Sequence, residues 1–235
     1  MVLPILETPM HSCVLPSSNE RIEFRPFLVG EQKLLMIAQE SDDQNTQVRE
    51  MIRLINACCD DVNAEQLPTI DLEYLFLQIR IKSVGETSDI VMKCEQCETE
   101  NEVTVDLEAS EVKQEKKVSN IINLSGDVSI ELQYPTYDSV EDLDIKEDES
   151  NTKDAFKLMN RCIVAVINGD EVMTRDDFST KELDKFIASM NMEMFEGVQE
   201  YLASAPVLSI TSEFKCSNCG SEEKSELEGI GSFFD

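Results

Sequence analysis

Two similar cysteine motifs, 119 residues apart, constrain the fold of this chain more than any other feature. They are Met92-Lys-Cys-Glu-Gln-Cys97 and Phe214-Lys-Cys-Ser-Asn-Cys219. Each follows a strand-like run and precedes a polar turn, as in zinc knuckles, where a two-residue gap lets a tight turn aim both sulfurs at one ion. Two such knuckles complete a tetrahedral site, so the sequence predicts one structural zinc ion. Its predicted ligands are Cys94, Cys97, Cys216 and Cys219.

The long separation of the two motifs has a consequence for the fold. A compact zinc ribbon keeps its halves within about 15–20 residues of each other, so the chain between these motifs must be an inserted body. A real site would then join the middle of the chain to its end, and most of the protein would fold as one intertwined unit. The alternatives to a zinc site are a redox dithiol, an iron–sulfur cluster and a chance spacing without any cofactor. Neither motif has the strand-to-helix context of a thioredoxin-like dithiol.

Other residues near the motifs suggest how the site could be stabilised. A zinc ion bound by four thiolates carries a net charge of −2, which Lys93 and Lys215 could partly offset. Backbone N–H groups of the turns, including that of Gly220, could donate hydrogen bonds to the thiolates.

His11 belongs to no spaced ligand set. We expect the other four cysteines to pack in the core, where free cysteine is common; they are Cys13, Cys58, Cys59 and Cys162.

The charge of the chain restricts its partners. Lys and Arg number 20 against 48 Asp and Glu, a formal charge of −28 over 235 residues. Such a charge repels phosphate backbones and anionic membrane surfaces, so we expect no nucleic-acid and no membrane partner. No apolar run approaches membrane-spanning length, and the first ten residues do not resemble a signal peptide. These features predict a soluble protein made in a cytoplasm.

Signatures of catalysis are missing from the sequence. There is one histidine, and no GxSxG, Walker, GxGxxG or HExxH motif is present. A closed four-cysteine zinc site offers no open position for water, so it would be structural. We therefore expect a protein that is not an enzyme and has no small-molecule substrate.

Hydrophobic periodicity predicts an α+β protein with a mainly helical body, small antiparallel β-hairpins and a split four-cysteine zinc ribbon. Two predictions bear on this fold class: a helix over 154–167 ended by Gly169, and a charged connector over 111–117. The predicted segments are 1–86, an N-terminal β-hairpin plus helices; 87–134, β-hairpins with the first knuckle; 135–205, an acidic connector and helices; and 206–235, the second knuckle and the C-terminal tail.

Two stretches invite separate predictions. Residues 141–149 contain six acidic residues, which predicts a mobile, solvated connector, with docking of a basic partner as the alternative. The tail over 228–235 carries Ile230, Phe233 and Phe234 between and after two glycines. It either folds back onto the core or docks into a partner.

Several short segments give the chain a resemblance to a known family. Pro9-Met10 precedes the first strand, and Phe233-Phe234 lies near the end. Between them lie the segments Ile22-Glu-Phe-Arg-Pro-Phe27, Val29-Gly-Glu-Gln-Lys-Leu-Leu35, Ala38-Gln-Glu-Ser41 and Leu75-Phe-Leu-Gln-Ile-Arg-Ile-Lys-Ser-Val-Gly85. Together these segments resemble the baseplate hub proteins of T-even-like contractile-tail bacteriophages.

The resemblance implies a structural component or assembly factor of the central hub of the tail baseplate. The implied partners are other phage baseplate hub or tail proteins. The implied location is the virion tail baseplate, or the host cytoplasm during assembly. A zinc-ribbon regulatory protein that binds nucleic acid or a polymerase is the alternative, although the acidic residues around both knuckles have the wrong sign for phosphate.

Overall fold

The fold is described from a computed structural model, which covers residues 8–39, 44–140 and 152–229. The predicted acidic connector over 141–149 and the apolar residues of the C-terminal tail lie outside these residues. The helices are α1 Val29–Gln39, α2 Gln44–Cys58, α3 Thr69–Val84, α4 Tyr137–Val140, α5 Thr152–Cys162, α6 Thr180–Ala188 and α7 Met192–Ala203. The strands are β1 His11–Val14, β2 Arg21–Phe24, β3 Thr87–Lys93, β4 Glu100–Asp106, β5 Glu111–Lys113, β6 Ile121–Ser125, β7 Val128–Leu132, β8 Ile163–Asn168, β9 Glu171–Thr174, β10 Val207–Lys215 and β11 Glu222–Glu228.

The expectation of a mainly helical body is wrong. The described part of the chain is about 40% helical and 31% strand, and its strands form four sheets of two to four strands. Helix α5 ends at Cys162, and the β-branched run after it continues as β8 instead of completing the predicted helix over 154–167. Strand β5 lies within the predicted charged connector, and β9 and β11 have no counterpart in the prediction.

The chain forms two compact units, and the first consists of Met1–Ala64, Ile70–Lys113 and Pro206–Asp235. Its sheets are the hairpins β1–β2 and β3–β4 and the antiparallel sheet β11-β10-β5. Helix α3 is apolar around most of its circumference, which is typical of a buried helix. It ends before Gly85, which has a φ of 131°. The buried α3 residues include Leu72, Leu75, Phe76, Leu77 and Ile79.

The second unit consists of Glu65–Thr69 and Gln114–Ala205. Strands β6, β7, β8 and β9 form an antiparallel sheet in sequence order. The apolar faces of α5, α6 and α7 pack with this sheet around one core. The buried core residues are Ile130, Leu132, Met159, Ile163, Val166, Leu183, Ile187, Val198 and Tyr201. The division of the sequence into four segments stays a prediction.

Candidate metal centre

Two hairpins of the first unit present the cysteine motifs in the same way. In β3–β4 the last strand pair is Lys93 with Glu100, and in β10–β11 it is Lys215 with Glu222. Each pair closes a turn with cysteines at its first and fourth positions. We call residues 93–100 the first knuckle and residues 215–222 the second knuckle.

The backbone of the two turns follows one pattern. In the first knuckle, Cys94 N–H donates to Thr99 O at 3.0 Å, and Glu98 N–H donates to Cys94 O at 2.9 Å. The residue after the second cysteine is left-handed in both turns, with a φ of 57° at Glu98 and 74° at Gly220. The second knuckle repeats both hydrogen bonds, from Cys216 N–H to Ser221 O at 2.8 Å and from Gly220 N–H to Cys216 O at 3.0 Å.

All four predicted ligand residues meet at one point. Their Sγ atoms lie within 4.8 Å of one another. Across the hairpins, Cys94 Sγ is 3.6 Å from Cys219 Sγ, and Cys97 Sγ is 3.6 Å from Cys216 Sγ. A tetrahedral ion with zinc–sulfur bonds of about 2.3 Å separates its sulfurs by roughly 3.8 Å, which these distances approach. All four cysteines are free thiols.

Hydrogen bonds inside each turn favour ionisation of two of the thiols. The Thr99 hydroxyl, 3.3 Å from Cys97 Sγ, and the Thr99 backbone N–H lower the pKa of the Cys97 thiol to about 6. Backbone N–H groups of Cys219 and Asn218 lower the pKa of Cys216. Burial raises the pKa of Cys94 to about 12, against hydrogen bonds from two backbone N–H groups of its own turn. A metal ion would displace the remaining thiol protons.

The residues present fit a metal that prefers sulfur. Four convergent thiols, two with lowered pKa values and all four with backbone N–H donors on their sulfurs, are the donor set of a structural zinc site. Four protein ligands fill a tetrahedral shell, so this arrangement could hold a metal and leave no position for a substrate. Identification of the metal as zinc stays a prediction.

Lys93 and Gly220, which were predicted to support the metal site, make contacts that differ from each other. Lys93 Nζ lies 3.8 Å from a Glu100 carboxylate oxygen, so part of its charge is already neutralised. Gly220 N–H bonds the Cys216 carbonyl oxygen and not a sulfur, which corrects the expectation for that glycine. A side chain at Gly220 would approach the stem of Lys215 at 3.9 Å.

The cysteines outside the motifs are packing residues. Cys58, Cys59 and Cys162 are buried, as predicted, and burial raises the pKa of Cys162 to about 12. Cys13 is half-buried, with a pKa raised by burial to about 11. His11 packs on the Phe24 ring at a centroid distance of 5.9 Å.

Sequence reasoning missed the side chains that link the two knuckles. Asn101 and Asn218 each reach from one knuckle hairpin to the other, and Ser217 donates to Asn101 as part of this linkage. One signal was available, because Asn101 occupies an inward position in the alternating pattern of β4 where an apolar residue is expected. Nothing in the sequence distinguishes Asn218 from an ordinary turn residue.

Among the described residues, no helix has both the length and the apolar character that a membrane crossing requires.

The sequence has a match among known protein families. No curated protein and no solved structure shows significant similarity to the chain. One protein family, described as T4 bacteriophage base plate protein, matches residues 8–235. This match spans both units and both knuckles, so the chain belongs to the T4 bacteriophage base plate protein family.

Proposed function

We propose that this protein is a structural component or assembly factor of the central hub of a contractile-tail phage baseplate, and that it acts through protein–protein contacts without catalysis. The family match over residues 8–235 is the observation that carries the baseplate role. The hub position is supported by the segments of the N-terminal third that resemble hub proteins, such as Ile22–Phe27 and Val29–Leu35.

Charge supports the proposed kind of partner. A chain with a net charge of −28 is attracted to basic protein surfaces and is repelled by other polyanions. We therefore propose that its partners in the baseplate present basic surfaces. The same charge disfavours the alternative of a regulatory protein that binds nucleic acid.

We further propose that the four thiols of the two knuckles hold one zinc ion with a structural role. When bound, the ion would supply crosslinks and no chemistry, because all four tetrahedral positions are filled by the chain. The knuckles come from residues 93–100 and 215–222, so the bound metal would fasten the end of the chain to its middle. Its binding free energy would add directly to the stability of the first unit.

Crosslinking mass spectrometry on purified baseplates tests the proposed position. We expect crosslinks from lysines of this protein, such as Lys33 and Lys181, to central hub subunits. Crosslinks confined to peripheral subunits would contradict the hub position and leave the baseplate role intact. Because the proposal includes assembly factors, the same crosslinking is performed on assembly intermediates from infected cells.

Mass spectrometry of purified virions separates the two forms of the proposed role. A retained subunit is present at a fixed ratio to other baseplate proteins, whereas an assembly factor is present in intermediates and absent from virions. Absence from both virions and tail intermediates would contradict the proposed function.

A further inference from the structure

Asn101 stands out as a polar side chain in a buried strand position. The inward residues of β4 are Asn101, Val103 and Val105, and the asparagine is only 7% exposed. A buried carboxamide costs free energy unless its donors and acceptor are all satisfied. The partners of Asn101 therefore indicate why a polar residue occupies this position.

The Asn101 carboxamide is satisfied by both knuckles at once. Its Oδ1 accepts hydrogen bonds from the backbone N–H and from the hydroxyl of Ser217, each at 2.9 Å. Its Nδ2 donates to Thr99 O at 2.8 Å and approaches Cys216 Sγ at 3.8 Å. One side chain thus fixes the second knuckle against the first and directs an N–H toward a ligand sulfur.

Glu223 occupies the equivalent position in the other hairpin. Asn101 lies four residues after Cys97, and Glu223 lies four residues after Cys219. Each side chain crosses to the first cysteine of the opposite knuckle, and Cys94 Sγ donates to Glu223 Oε1 at 3.3 Å. The two hairpins therefore place a carboxamide and a carboxylate at matching positions around the four sulfurs.

We infer that Asn101 is a positioning residue of the metal centre, and that the carboxylate of Glu223 at the matching position opposes metal binding. This inference rests on the proposed four-thiolate site. A divalent ion with four thiolates carries a net charge of −2, so an N–H donor lowers the energy of the bound state and a nearby carboxylate raises it. Once Cys94 binds a metal, its thiol proton is gone and the hydrogen bond to Glu223 is lost.

A reciprocal pair of isosteric substitutions in the full-length chain tests the inference. Asn101→Asp places a carboxylate beside Cys216, and Glu223→Gln removes the one beside Cys94. Zinc affinity is measured by competition with a chromophoric chelator, and Co²⁺ substitution reports the thiolate geometry through its absorption bands. Asn123→Asp is the control, since Asn123 is a strand residue of the other unit.

The two variants should move in opposite directions. We expect Asn101→Asp to weaken zinc binding on the order of 10–100-fold, the range typical for residues that support metal ligands. Glu223→Gln should tighten zinc binding, and Asn123→Asp should leave it unchanged. The double variant Asn101→Asp/Glu223→Gln should recover part of the affinity lost in Asn101→Asp, because the charge removed beside Cys94 offsets the charge added beside Cys216.

Each failure has a distinct meaning. If the unmodified protein binds no stoichiometric zinc or Co²⁺, the proposed metal site fails. If it binds zinc and neither substitution changes the affinity, or Glu223→Gln weakens it, the positioning inference is overturned and the metal site stands. If Asn101→Asp does not fold, Glu223→Gln decides alone, because tighter zinc binding supports the inference and an unchanged affinity overturns it.

Discussion

Asp71 is a carboxylate buried in the first turn of α3, and it shows how one residue couples the fold to pH. Its oxygens accept hydrogen bonds from the backbone N–H of Ser17, at 2.9 Å, and from the Ser17 hydroxyl. The side chain thereby holds the β1–β2 turn to the start of the helix. Desolvation nevertheless raises the pKa of Asp71 above its usual value, against the hydrogen bonds from Ser17.

The sign of this shift gives a prediction for Asp71→Asn. A raised pKa means that the fold favours the protonated acid, so its stabilising contribution is present at low pH and is lost as pH rises through the folded-state pKa. Asparagine keeps an acceptor for Ser17 N–H and adds a donor for the hydroxyl. We expect urea unfolding to show the variant gaining stability relative to the unmodified protein as the pH rises from about 4, near the ordinary Asp value, through the raised pKa of Asp71. A relative loss over that range would contradict the assignment.

At the scale of elements, the boundary between α5 and β8 shows what the sequence could and could not predict. The amphipathic start of α5 and the whole of α7 follow from helical periodicity. The run Ile163-Val-Ala-Val-Ile167 fits a helix or a strand equally well by apolar pattern alone. The run forms a strand because it pairs with β7 and β9. This pairing is a tertiary contact, which the periodicity of the sequence cannot reveal.

The charged strands were unpredictable for another reason. Strand β11 has the sequence Glu-Glu-Lys-Ser-Glu-Leu-Glu and is rich in residues disfavoured in strands. It forms because β10 pairs along its whole length. The ligands of the candidate site, by contrast, could be predicted, because the CxxC spacing identifies the four cysteines directly. Their supporting residue Asn101 becomes visible only when the hairpins are placed together.

The start of α6 carries a local signal in its sequence, a serine followed three residues later by a glutamate. Ser179 Oγ accepts from Glu182 N–H at 3.3 Å, and the Glu182 carboxylate accepts from Ser179 N–H at 2.8 Å, which completes a capping box. Ser179→Ala should cost about 1 kcal/mol of unfolding free energy, measured by denaturant titration. Thr180→Ala is the matched control and should cost nothing, because it leaves the box intact. Equal losses in both variants would show that the cap contributes little.

The second knuckle turn has its own conformational requirement. Gly220 has a φ of 74°, a region that disfavours a side chain, although a side chain there would meet the Lys215 stem only at an ordinary contact distance of 3.9 Å. Gly220→Ala should destabilise the first unit by roughly 1–2 kcal/mol in thermal or chemical unfolding. Glu98→Ala, at the equivalent position of the first knuckle, replaces a residue that already has a side chain at a φ of 57° and should have a much smaller effect. A neutral Gly220→Ala would mean that the turn relaxes.

At the scale of the whole molecule, the ligand cysteines all lie in one of the two units. The second unit has its own buried core and contains none of these ligands. Removal of the metal with a chelator should therefore speed hydrogen exchange in β10 and β11 and leave β7 and β8 unchanged, as measured by mass spectrometry. Faster exchange throughout both units would show that the two unfold together when the metal is lost.

Four thiols from distant parts of the chain should together bind one zinc ion. Native mass spectrometry of the full-length protein, purified without chelators, tests this binding most directly when combined with elemental analysis. We predict one zinc per chain, lost in Cys216→Ser together with stability, and retained in Cys13→Ser, a matched change at a half-buried cysteine outside the site. A chain that carries no stoichiometric zinc, or a Cys216→Ser variant that keeps it fully, would contradict the account.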